Sequence, residues 1–295
     1  MAASVRIPCS QPAHWQAALA ATDDVACRCA DGHPLLHWRG AAGALLRPAG
    51  PDPRDVTDLV ERLFVPVAYL CRFAHSLHTL GRLEPRGSGE LKQALTDPDS
   101  FLHFEYMLHV AAKLAERDYP VDFVGRTGKK APDIEVPSEQ VAFEVRARGD
   151  KSPRKSLADD FTHAEEKFGV HLQRDDRRDW IGLLAVDLGV CGSPSLPDVA
   201  RVGPNLSALS TELTSGLANA DRVAGALVTW VGFERKKTDE RDTIGPFGTS
   251  GWRMREGCDA PECLSSTFSS LERASGELAR RGVSDRPDPR RSRRR

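Results

Sequence analysis

Residues 101–148, FLHFEYMLHVAAKLAERDYPVDFVGRTGKKAPDIEVPSEQVAFEVRAR, decide the fold, because the spacing of their apolar positions changes partway along. In the first half Phe101, Phe104, Leu108, Ala111 and Ala115 recur at helical spacing, and Pro120 stands where that helix must have ended. Glu105 lies beside the apolar stripe, so its carboxylate is expected to be only partly solvated. VDFV, DIEV and VAFEVRAR then follow as short runs rich in Val, Ile and Phe, separated by GRTGKKAP and PSEQ, which carry the residues of turns. The order predicted is helix, strand, strand, strand.

Alternation in the last two strands puts Ile134, Val136, Val141, Phe143, Val145 and Ala147 on one face and Asp133, Glu135, Glu144, Arg146 and Arg148 on the other. Carboxylates from neighbouring strands can thus converge. Two acids held by sheet geometry, with a third near the helix, suit a hard divalent cation, which takes oxygen ligands and keeps several waters. Each acid also has a plainer reading: Asp133 as a turn residue after Pro132, Glu144 as half of a sheet ion pair with Arg146, Arg148 or a lysine, and Glu105 as a helix-surface glutamate. Glu135 reads as a supporting acid or, more simply, a solvated one.

Pro132-Asp133, followed after a turn by Glu144-Val145-Arg146, resembles the PD-(D/E)xK nuclease superfamily, whose core is a helix, three strands, a second helix and a further strand. The resemblance implies an α/β, restriction-endonuclease-like fold, with Asp133 and Glu144 as ligands of Mg²⁺ or Mn²⁺ and Glu105 as the acid from the first helix. It also implies a metal-dependent nuclease, with DNA the simplest substrate. Arg146 stands where the family has the lysine that orients water and offsets charge on phosphorus. A guanidinium is bulkier, planar and never deprotonated. A nuclease-like domain that binds nucleic acid or protein without cutting is therefore the alternative reading. Arg126, Lys129, Lys130, Arg148 and Lys151 surround the acids and are the candidate phosphate contacts.

The resemblance extends through SLADDFTHAEEKFG, an amphipathic helix with Leu157, Phe161, Ala164 and Phe168 on one side, into WIGLLAVDLGV, a strand apolar enough to be covered on both faces. His163 on that helix faces the acids or the solvent. Upstream, residues 53–81 predict a helix that Pro66 kinks or divides. Residues 1–50 have weak periodicity; PLLHWRGAAGALLRP reads as short strands about a turn. Downstream, residues 205–219 predict a helix and DRVAGALVTWVGFE a strand. ERKKTDERDTIGPFGTSG reads as a mobile loop, and the arginine-rich tail from about Gly276 as disordered. The expected organisation is a partly helical accessory region over 1–92, the nuclease-like domain over 93–260, and a helix with a basic tail over 261–295.

The 295-residue chain has a formal net charge of −1, which excludes a wholesale basic coat and makes any nucleic-acid contact local. With no leader pattern, no apolar run long enough for a bilayer and seven cysteines, a cytoplasmic location is expected. A homodimer or larger assembly stays open. Cys27 and Cys29 are spaced too tightly for a zinc site and have no second pair. Gly125-Arg-Thr-Gly128-Lys129-Lys130 lacks the spacing of a phosphate loop and the hydroxyl residue after the lysine.

Overall fold

The computed structural model describes residues 12–47, 60–83, 95–124, 131–147, 157–190, 201–202, 206–237, 242–271 and 273. Three N-terminal helices, α1 (Pro12–Ala21), α2 (Asp23–Ala26) and α3 (Pro34–Leu45), precede a turn of π-helix over Val60–Phe64 that runs into α4 (Val65–Gly81). Then follow α5 (Phe101–Ala115), β1 (Asp122–Phe123), β2 (Ile134–Val136), β3 (Val141–Ala147), α6 (Leu157–His171) and β4 (Ile181–Val190). The chain continues with β5 (Arg201–Val202), α7 (Leu206–Ala218), β6 (Gly225–Lys237), β7 (Asp242–Met254) and α8 (Glu262–Thr267).

The strands form one mixed sheet in the order β1-β2-β3-β4-β6, with β7 antiparallel to β6 and β5 pairing the distal part of β6 at Phe233 and Glu234. β1, β2 and β3 are antiparallel, whereas β3–β4 and β4–β6 are parallel. Parallel neighbours need a crossover, and α6 and α7 supply the helices for the two crossovers. The chain is therefore α/β, and the predicted succession of helix, three strands, helix and strand is present as α5, β1, β2, β3, α6 and β4.

Both faces of the sheet are covered. Val141, Phe143 and Val145, with Leu183, Ala185 and Leu227, pack beneath α1, α3, α4 and α5. Ala142, Leu184, Val186, Ala226 and Val228 pack against Phe161, Ala164 and Phe168 of α6 and Leu213 and Leu217 of α7. Helices α6 and α7 meet closely at Gly216, where a Cβ would lie 2.2 Å from the Phe161 ring. The strand alternation thus sorts residues between two buried layers, not between core and water. Asp133, Glu135 and Glu144 are 5%, 4% and 0% exposed. Glu135 in particular is not solvated: His171 Nε2 lies 2.7 Å from its Oε1 and Arg177 NH2 3.2 Å from its Oε2.

The N-terminal residues depart from expectation, since PLLHWRGAAGAL is a helix and not a pair of strands. Pro34 occupies its first turn, where the missing N–H costs nothing. The Leu35 N–H donates to Nδ1 of His33 at 3.1 Å, and Nε2 of the same ring stands 3.1 Å from the Leu95 carbonyl oxygen. One neutral tautomer satisfies both contacts, and burial lowers the His33 pKa in agreement. Leu35, Trp38, Ala41 and Ala42 form the buried stripe. Trp38 stacks on Tyr69 of α4 at 5.2 Å and lies 5.2 Å from the Phe101 ring of α5, so the N-terminal helices and the sheet share one core. Pro66 falls in the first turn of α4, just after the π-helical turn, and so divides the segment. The polar segment after Glu234 is no loop: its described residues continue β6 and return as β7, paired from Gly225–Met254 to Lys237–Asp242. The arginine-rich tail lies outside the described residues.

Replacing Trp38 by alanine should destabilise the protein by about 3–5 kcal/mol. Because the core is continuous, urea unfolding followed by far-ultraviolet dichroism and by tryptophan fluorescence should still give one coincident transition.

Candidate functional site

Asp133 and Glu144 are brought together by the β2–β3 pairing, in which Ile134 stands opposite Phe143 and Glu135 opposite Ala142. Just before β2, the Asp133 N–H donates to the Phe143 carbonyl at 3.0 Å. Its carboxylate Oδ2 accepts the Val145 N–H at 2.8 Å, which ties the side chain to β3 one residue from Glu144. Glu144 shares the face of Ala142 and so points at α6.

Helix α6 meets it with a polar stripe. Asp160, His163, Lys167 and His171 recur every three or four residues, beside the apolar stripe of Leu157, Phe161, Ala164 and Phe168. Lys167 Nζ stands 2.7 Å from Glu144 Oε2 and 3.6 Å from Asp133 Oδ1. His163 Nε2 lies 3.4 Å from Glu144 Oε1. Arg146 sits at the margin, with NH1 4.0 Å from Glu144 Oε1 and Nε 3.7 Å from Asp160 Oδ1. From the opposite helix, α5, His103 Nε2 comes within 3.6 Å of Asp133 Oδ1. Despite these neighbours, neither oxygen of Glu144 receives a hydrogen bond of good geometry.

This environment drives the two carboxyls apart. Burial works to raise the Asp133 pKa, but His103, Lys167 and the Val145 N–H outweigh it and hold the group at about 2. Burial and the negative charge of Asp133 raise the Glu144 pKa, with His163 and Lys167 opposing. Two neighbouring acids with divergent proton affinities are a common arrangement in sites that handle charge.

Glu105 does not join them. It is two residues from His103, which turns it roughly 200° around α5, onto the face packed against α4. There the Arg72 guanidinium grips it, with Nε 2.8 Å from Oε1 and NH2 on Oε2, while NH2 also lies 2.8 Å from Asp187 Oδ2. Asp187 shares the strand face of Leu183 and Ala185, so this ion triad occupies the other side of the sheet from α6. Of the acids expected from sequence, the structure therefore brings two together and turns the third elsewhere. The position of Arg146 also takes on a different aspect, because among the described residues the cation nearest both acids is Lys167. Sequence reading missed Lys167; the signal was its place between His163 and His171 on one helical stripe. Arg126, Lys129, Lys130, Arg148 and Lys151 lie outside the described residues.

Among the described residues no three His, Cys, Asp or Glu side chains are grouped to hold a metal ion. The donor set is a pair of carboxylates, one of them buried with both oxygens poorly satisfied. That set fits Mg²⁺ or Mn²⁺, which can be held by one or two carboxylates, waters and substrate oxygens, and not a metal that needs an all-protein cage. Among the described residues no helix is long and apolar enough to cross a membrane. No family model, curated protein or solved structure matches the chain.

Two outcomes follow from the charges. Arg72→Ala leaves Glu105 and Asp187 buried beside no guanidinium, and should cost about 3–5 kcal/mol in urea unfolding. The depressed pKa of Asp133 makes its contribution fully present above about pH 4 and lost as pH falls through about 2, an effect of roughly 2 kcal/mol. Asp133→Asn should therefore flatten the acid limb of the stability profile measured by thermal melts.

Proposed function

We propose that the chain is a metal-dependent nuclease that hydrolyses phosphodiester bonds in nucleic acid, most simply DNA. The observation that carries this reading is the convergence of Asp133, just before β2, and Glu144, on β3, on the single ammonium of Lys167. The succession α5, β1, β2, β3, α6 and β4 supports it, being the order expected of a restriction-endonuclease-like core.

Asp133 and Glu144 would hold Mg²⁺ or Mn²⁺. Bound there, such an ion supplies electrostatic stabilisation of the phosphoryl oxygens and a water of lowered pKa. Asp133 is ionised across the neutral range and anchored by Val145, so its oxygens are fixed in place before any ligand arrives. Glu144 would offer the ion its oxygens from between His163, 3.4 Å from Oε1, and Lys167, 2.7 Å from Oε2. Lys167 takes the part that the resemblance would give to Arg146, offering an ammonium to the developing charge on phosphorus. Arg146, leaning on Asp160, and His163 stand beside it as further donors to phosphate oxygens.

A second reading, a binding module without hydrolysis, is favoured by one observation: Lys167 already pairs with both acids. Calorimetry with Mn²⁺ separates the two, since the binding module would show no heat that depends on Glu144.

Incubated with mixed DNA and RNA substrates in Mg²⁺ or Mn²⁺, the parent should cleave, while Asp133→Ala and Glu144→Gln should each be at least about a thousandfold slower. Circular dichroism should show both variants folded. Equal cleavage by parent and variants would remove the proposal.

A further inference from the structure

The Lys167 ammonium stands 2.7 Å from one acid and 3.6 Å from the other, where a divalent cation shared by them would also have to bind. Two cations in one such space repel strongly, and the repulsion grows with the charge of the newcomer. Lysine is the side chain suited to yield, because its charge rides on a flexible four-carbon stem and not on a rigid fork. Its side chain is 15% exposed, so the head has a route toward solvent, whereas Arg146 is drawn to Asp160 on the same helix.

We infer that Lys167 is a resident counter-ion that the incoming divalent metal displaces from between Asp133 and Glu144. This deepens the nuclease reading and rests on it. Before metal arrives, the ammonium offsets part of the charge of carboxylates that burial would otherwise penalise, so the fold does not depend on the ion. Once metal is bound, the same ammonium is expelled toward solvent, the direction from which a phosphate must come. Metal binding and presentation of the lysine to substrate are then a single event. The lysine serves as a structural partner first and a phosphate ligand afterwards.

The exchange carries a signature opposite to that of an ordinary supporting residue. Removing the ammonium should strengthen metal binding while it weakens catalysis. Mn²⁺ is titrated calorimetrically into the full chain and into Lys167→Met and Lys167→Arg, all at one fixed pH. The methionine variant should bind Mn²⁺ about tenfold or more tightly than the parent, and the arginine variant no more tightly than the parent. Adding Glu144→Gln to the methionine variant should abolish the gain. In the same metal the methionine variant should cleave at least about a hundredfold more slowly than the parent. If the methionine variant does not fold, Lys167→Gln provides the same comparison. A parent that binds Mn²⁺ and cleaves nucleic acid, alongside a charge-free variant with equal or weaker affinity, would overturn this inference alone. A parent that neither binds Mn²⁺ nor cleaves would overturn the nuclease reading, and this inference with it.

Discussion

The contact between the polar stripe of α6 and the acids of β2 and β3 is the constraint on which the site depends. Four positions of the helix face four of the strands: Asp160 with Arg146, His163 with Glu144, Lys167 with Glu144 and Asp133, and His171 with Glu135. Hydrophobic burial of Phe161 and Phe168 presses α6 onto the sheet but would tolerate sliding along its length. Paired charges do not, because a shift by one turn would take Lys167 from the place where it meets both acids. The seam thus fixes the register of helix on strand, and with it the distance between the carboxylates and their ammonium.

Burying such a seam is costly unless each charge finds a partner. Asp133 is anchored by a backbone N–H and stays ionised to about pH 2. Glu144 is the exception. It lies wholly inside the protein, close to a cation, yet neither oxygen is well bonded. A group left in that condition is the member of the cluster with most to gain from a further ligand, which is why the chemistry proposed centres on it.

Much of this was legible in the sequence, for reasons that can be named. The change from helical to alternating period at Tyr119 and Pro120 exposed α5 and the strands after it, and the apolar run at 181–190 exposed β4. An acid between Phe143 and Val145 demanded a charged neighbour, and Glu144 has Lys167 2.7 Å away. Other features depended on contacts no local pattern encodes. Glu105 looked like a third acid because its helix faces the sheet, but its partner, Arg72, comes from the preceding helix, 33 residues upstream. Lys167 sat on a recognised amphipathic helix, yet only the rotation of that helix about its axis shows which acids its stripe meets. The N-terminal helices were hidden by Ala and Gly, whose small side chains blur periodicity, and the β6–β7 hairpin by glycine and charge where strands usually carry branched residues.

Helix α5 is a wall common to two charged compartments, with His103 on the side of Asp133 and Glu105 held by Arg72 beneath the opposite face of the sheet. A rigid helix cannot turn one of these side chains without turning the other. Loosening the Arg72 grip would thus let His103 drift from Asp133 although no atom of the acid pair had been touched. An inactive Glu105 variant would mimic the loss of a metal ligand, and only its altered folding energy would reveal that the damage had been transmitted through the scaffold.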